Sequence, residues 1–68
     1  MMNKLNYPQM IIKLRVKMNI SQEELAKELD VSFQSVNRWE NGKFEPTKLA
    51  KAKLDELFEK YDIKEIKE

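Results

Sequence analysis

Sixty-eight residues with a formal net charge of +1 and neither Cys nor His make one small domain, near the lower size limit for folding without covalent or metal staples. The missing residue types exclude a disulfide framework and thiolate or imidazole metal sites, and the presence of a single Gly excludes a glycine-rich phosphate loop. Residues 1–46 carry seven Lys or Arg against six Asp or Glu, and residues 47–68 carry six of each, so a phosphate-binding surface must come from local arrangement rather than bulk charge.

Chain order begins with MMNKLNYPQM, which lacks the uninterrupted apolar core of a signal peptide. No later run approaches the roughly 20 apolar residues of a membrane span, and the expected location is the cytoplasm, with no membrane partner. Residues 1–7 read as an N-terminal arm. Pro8 suits the first position of a helix, with Asn6 or Tyr7 just before it. Ile11, Leu14 and Met18 then form one apolar stripe. Asn19 tolerates the left-handed conformation that ends a helix, and Ile20 is expected to pack inward.

A second helix is predicted from Ser21. Glu24 follows it by three residues, the capping-box spacing, and Glu23 and Glu24 suit the positive end of the helix dipole. Leu25, Ala26 and Leu29 form its inward stripe. The helix stops at Asp30, and Val31 is a buried linker residue. Ser32 caps a third helix whose inward residues are Val36 and Trp39. Its outward residues are Phe33, Gln34, Asn37, Arg38 and Asn41, and Gly42 ends it. Pro46 and Thr47 start a longer fourth helix, in which Ala50, Leu54, Leu57, Phe58 and Tyr61 make a core-facing stripe. The charges on its other faces read as solvation alone. Residues 62–68 read as a frayed helical extension with Ile63 and Ile66 weakly anchored.

The third helix asks for an explanation, because Gln, Ser, Asn and Arg replace the Glu and Lys of an ordinary solvated face. These are side chains that match base edges: Arg bonds guanine O6 and N7, Gln or Asn bonds adenine N6 and N7, and an apolar group can lie on a thymine methyl. The turn from Leu29 to Ser32 is too short for antiparallel packing. It forces the second and third helices to cross steeply, as in a helix-turn-helix, with Ala26 small at the crossing. One face of the third helix then projects from the body and can enter a major groove.

Leu14-Arg15, SQEELAKEL at 21–29, VSFQSVNRWENGK at 31–43 and Pro46 together resemble the Cro/lambda-repressor-type, or xenobiotic-response-element-type, helix-turn-helix family. The resemblance covers residues from about 11 to 47. It implies an all-α, lambda-repressor-like fold of four helices, or five if the tail separates, in one domain over residues 1–68. It also implies sequence-specific binding of double-stranded DNA, with transcriptional repression as the consequence. Gln22 would donate to a phosphate and brace the reading helix. Phe33, Gln34, Asn37 and Arg38 would face bases, and Ser32 would lie near a phosphate or thymine methyl. Asn41 and Lys43 would clamp the phosphate backbone, helped by backbone amides at the Gly42 turn. Arg15 and Glu40 would form a partly buried structural pair.

Two positions depart from the family pattern: Asp30 stands where Gly is usual, and the fourth helix runs unbroken where the family's dimer surface normally lies. The core is expected to contain Leu14, Leu25, Leu29, Val36, Trp39, Leu54, Leu57 and Phe58. Neither a cofactor nor an enzyme activity is expected. A homodimer on two half-sites about 34 Å apart would raise the affinity of so small a module. Two alternatives use the same scaffold. One is the antidote of a toxin–antitoxin pair, with the Ala50–Tyr61 flank or the tail against its protein partner. The other is the targeting piece of a restriction or modification system.

Overall fold

Asn6 opens the first helix: its side-chain oxygen accepts from the Gln9 amide at 3.4 Å, and Tyr7 and Pro8 take the first two positions, where a missing N–H costs nothing. In the computed structural model, which describes residues 6–64, this helix, α1, spans Tyr7–Met18. It is followed by α2 (Gln22–Leu29), α3 (Phe33–Glu40) and α4 (Lys48–Lys60). Each later helix also opens on a hydroxyl cap. Ser21 and Glu24 exchange both bonds of a capping box, at 2.9 and 3.1 Å. The Ser32 hydroxyl accepts from the Ser35 amide and the Thr47 hydroxyl from the Ala50 amide, each at 3.2 Å. Each cap satisfies a first-turn donor that the helix leaves open.

The four helices share one ending. A residue in the left-handed region (Asn19, Asp30, Gly42 or Asp62) follows the helix. Its amide bonds the carbonyl three residues back, and the next amide bonds the carbonyl five residues back, which is the Schellman arrangement. After Asn19, Asp30 and Asp62 the next residue is apolar and tucks against the core: Ile20, Val31 and Ile63. After Gly42 it is Lys43, which is exposed.

The α3 helix packs against α2 and α1, and α4 packs against the same pair. The core between them is centred on Ile11, Leu14, Leu25, Val36 and Leu54, all fully buried. It differs from the sequence expectation at its edges. Leu57 is only half-buried, while Met10 and Tyr7 are buried. Tyr7 therefore does not belong to an arm; it is the first residue of α1, its ring centroid 6.0 Å from that of Phe58. Residues 1–5 lie outside the described residues. At the other end, α4 stops at Lys60, the chain turns at Asp62, and Ile63 packs into the core at 9% exposure. This stretch is neither a helical extension nor weakly anchored. Ile66 and the rest of 65–68 lie outside the described residues.

The charged faces of α4 do more than meet solvent. The Lys53 ammonium donates to the Leu29 carbonyl at 3.4 Å, where the end of α2 carries partial negative charge. Lys51 pairs with Glu45 at 3.2 Å and sits over the Tyr7 ring. The flank that the antidote reading would bury against a partner is largely turned into this chain's own core, since Ala50, Leu54 and Phe58 are buried there.

Candidate nucleic-acid interface

The two faces of α3 have opposite chemistry. Val36 and Trp39, three residues apart, point into the core, with Trp39 only 5% exposed. Phe33, Gln34 and Arg38 are exposed on the other side, as is Asn41 at the C-terminal cap, while Asn37 is half-buried between the faces. Phe33, at 46% exposure, stays on this outward face. Ser32, at the N-terminus of α3, has its hydroxyl 3.0 Å from that of Ser35. Asp30 adopts φ 60 and ψ 46, so the Gly-like turn between α2 and α3 forms with Asp in the left-handed conformation it tolerates better than most residues.

Beyond α3 one expectation is corrected. The amides at the Gly42 turn are not free for phosphate. Asn41 donates to the Asn37 carbonyl at 3.1 Å, Gly42 to that of Trp39 at 3.1 Å, and Lys43 to that of Arg38 at 3.0 Å. The turn closes on itself, and what it offers outward is side chains. Lys43 projects from the position that elsewhere in the fold holds an apolar plug.

Beneath the exposed face runs a chain of polar side chains joining three elements. Arg15 on α1 grips Glu40 on α3 through two parallel bonds, Nε to Oε2 at 2.7 Å and Nη2 to Oε1 at 3.0 Å, the bidentate fork that suits guanidinium and carboxylate. Its third nitrogen donates to the Ile20 carbonyl at 3.2 Å. The Glu40 side chain is 5% exposed and that of Arg15 22%. The hydrogen bond to Glu40, outweighing burial, raises the Arg15 pKa. Glu40 Oε1 also accepts from Gln22 Nε2 at 2.8 Å; Gln22 Oε1 accepts from Asn37 Nδ2 at 3.2 Å; Asn37 Oδ1 accepts from Asn41 Nδ2 at 3.1 Å. Gln22, Asn37 and Asn41 thus lie in one line anchored on the Arg15–Glu40 pair. Gln34, Arg38, Ser32 and Lys43 lie outside it.

Phe44 is a residue that sequence reasoning passed over. It is 59% exposed, and the Arg38 guanidinium lies 5.3 Å from its ring centroid. Such a contact attracts a cation to the ring face and limits the rotamers of a long side chain. The available signal was a bulky aromatic in the polar loop that follows the reading helix.

A helix-turn-helix family model matches residues 11–65, which takes in all of α2, α3 and α4 and most of α1. The chain belongs to this family, of the Cro/lambda-repressor or xenobiotic-response-element type. It is therefore a DNA-binding helix-turn-helix protein, with the lambda-repressor-like arrangement of helices in a family built for binding rather than catalysis. No curated protein and no solved structure compared with the chain matches it. Among the described residues, no helix is long and apolar enough to cross a membrane, and no cluster of acidic side chains is arranged to hold a metal ion.

Proposed function

We propose that this protein binds double-stranded DNA sequence-specifically by laying α3 in the major groove, and that it acts as a transcriptional repressor. The observation that carries the reading is the opposition of faces on α3: Val36 and Trp39 anchor the helix from within, leaving Phe33, Gln34 and Arg38 exposed on one side. Arg38 suits the O6 and N7 of a guanine, Gln34 the N6 and N7 of an adenine, and Phe33 a thymine methyl. Ser32, Gln22, Asn41 and Lys43 flank this face and serve the phosphates, which set register and carry no sequence information. Repression follows from occupancy, since a bound module denies its site to other proteins. A near-neutral module of this size gains affinity from a second copy on a half-site about 34 Å away. Sedimentation at high concentration, with and without bound duplex, tests that dimer, and a monomer under both conditions refutes it.

Selection of bound duplexes from a random library at one fixed salt concentration tests the main reading. The selected site then separates the roles. Arg38→Ala should lose about 1–3 kcal/mol at one base pair and relax preference there, whereas Lys43→Ala should weaken every sequence alike and reduce the salt slope by about 1. Loss of affinity that is identical for both variants on every sequence would mean that α3 is not the reading helix.

A further inference from the structure

We infer that Asn37, although it lies on the reading helix, is a positioning residue that ties Gln22 and Asn41 to the Arg15–Glu40 pair and reads no base. The inference rests on the DNA-binding reading above and assigns one residue of that site a different task. To read adenine, an asparagine must use both ends of its amide, the oxygen accepting from N6 and the nitrogen donating to N7. Each end of Asn37 already carries one bond within the protein, Nδ2 to Gln22 at 3.2 Å and Oδ1 from Asn41 at 3.1 Å, so the amide is held along this row of side chains and is not free to turn both ends onto one base edge. The residue is half-buried, whereas Gln34 and Arg38 are exposed.

The direction of this chain of amides is set at its buried end. Both Glu40 oxygens accept from Arg15 and the group meets Gln22 as an acceptor, so Gln22 must turn its NH2 toward it, as the 2.8 Å bond records. Gln22 then presents its carbonyl to Asn37, which must answer with its own NH2 and so presents its carbonyl to Asn41. A flip of Asn37 would set oxygen against oxygen on one side and NH2 against NH2 on the other. Each of these amide nitrogens carries two hydrogens and spends one in the chain. The second hydrogens of Gln22 and Asn41 are left for phosphate oxygens, one at the start of α2 and one at the end of α3. Glu40 thereby fixes donors, rather than acceptors, at both places where the backbone of DNA is expected. Asn37 is the link between them.

Four proteins decide the matter: wild type, Asn37→Ala, Gln22→Ala and the double variant, each titrated at one salt concentration with the selected duplex and with its single-base-pair variants. Circular dichroism checks that each is folded; Asn37 touches no core residue through its polar atoms, and Ala suits a helix. Asn37→Ala should bind every duplex roughly three- to ten-fold more weakly, the size of about one net hydrogen bond, with base-pair preferences unchanged. In the Gln22→Ala background the same substitution should cost less than about two-fold, because the row is already cut off from Glu40, so Asn37 no longer sets the direction of Asn41 either. Relaxed preference at a single base pair, an undiminished effect in the Gln22→Ala background, or no effect at all overturns the inference.

A readout without DNA accompanies these. The Gln22 side-chain amide signals in a nitrogen–proton correlation spectrum should shift in Asn37→Ala, and signals that coincide with wild type overturn the link. A wild type that binds no duplex overturns the DNA reading itself, and the Gln22 signals then distinguish that failure from a failure of the amide chain.

Discussion

Tyr7 shows how much one side chain can hold. The residue is 8% exposed, its hydroxyl donates to Asp55 at 3.2 Å, and Lys51 lies over its ring. Burial first, and then the neighbouring Asp55 charge, raise its pKa from 10.0 to about 12. The sign of the consequence follows from proton counting. Between these two values the unfolded chain has lost the phenolic proton and the folded chain still holds it, so stability falls as pH rises through this window and is unaffected below it. The pH dependence of stability sums over every ionisable group of the chain, so the informative quantity is the difference between wild type and Tyr7→Phe in urea unfolding. That difference should be constant up to about pH 9 and then change steadily toward pH 12 as wild type loses stability that the variant never had. A difference independent of pH across the range would show that the hydroxyl titrates normally in the folded state.

At the scale of the element, the recurring feature is the left-handed residue that ends each helix. Asn19, Asp30 and Asp62 adopt φ of 59, 60 and 59 without being Gly, and the apolar residues after them are held against the core. The ending of α3 is built with the one Gly of the chain, at φ 74. A Cβ at Gly42 would meet only Pro8 Cγ, at 3.9 Å, which is ordinary contact. Gly42→Ala should therefore cost only the backbone term, about 1 kcal/mol after the smaller entropy of the unfolded Ala chain is allowed for. The thermal midpoint should fall by roughly 5 °C. A far larger loss would mean that the turn is crowded rather than strained. No loss would mean that the backbone can leave the left-handed region without opening the turn.

For the whole molecule, closure of the core depends on its two ends. Ile63 reaches it only because Asp62 reverses the chain after α4, with the Ile63 amide on the Phe58 carbonyl at 2.7 Å. A domain of this size has a total stability of about 3–10 kcal/mol, so the edge of the core counts. Ile63→Ala should cost about 2 kcal/mol, read as a lower urea midpoint at unchanged slope. A truly frayed tail would show no change.

Much of this molecule could be read from neighbours in sequence. The Ser21–Glu24 box, the Ser32 and Thr47 caps, the stripes of α2 and α4 and the inward pair Val36 and Trp39 involve residues a few positions apart, where the 3.6-residue period decides who faces whom. The Asp62–Ile63 ending was legible on the same terms, as a third occurrence of the pair seen at Asn19–Ile20 and Asp30–Val31, and was passed over because the residues beyond it continue the charged pattern of a helix. Local order along the chain thus specifies the four helices, where most of them start and stop, and which residues of α3 face away from the core. What the polar residues do with one another is settled by the packing of the helices. Tyr7 meets Asp55 across 48 positions, Arg15 meets Glu40 across 25, and Gln22 meets Asn37 across 15. These meetings depend on how helices cross, and no local preference for a helix, cap or turn specifies a crossing.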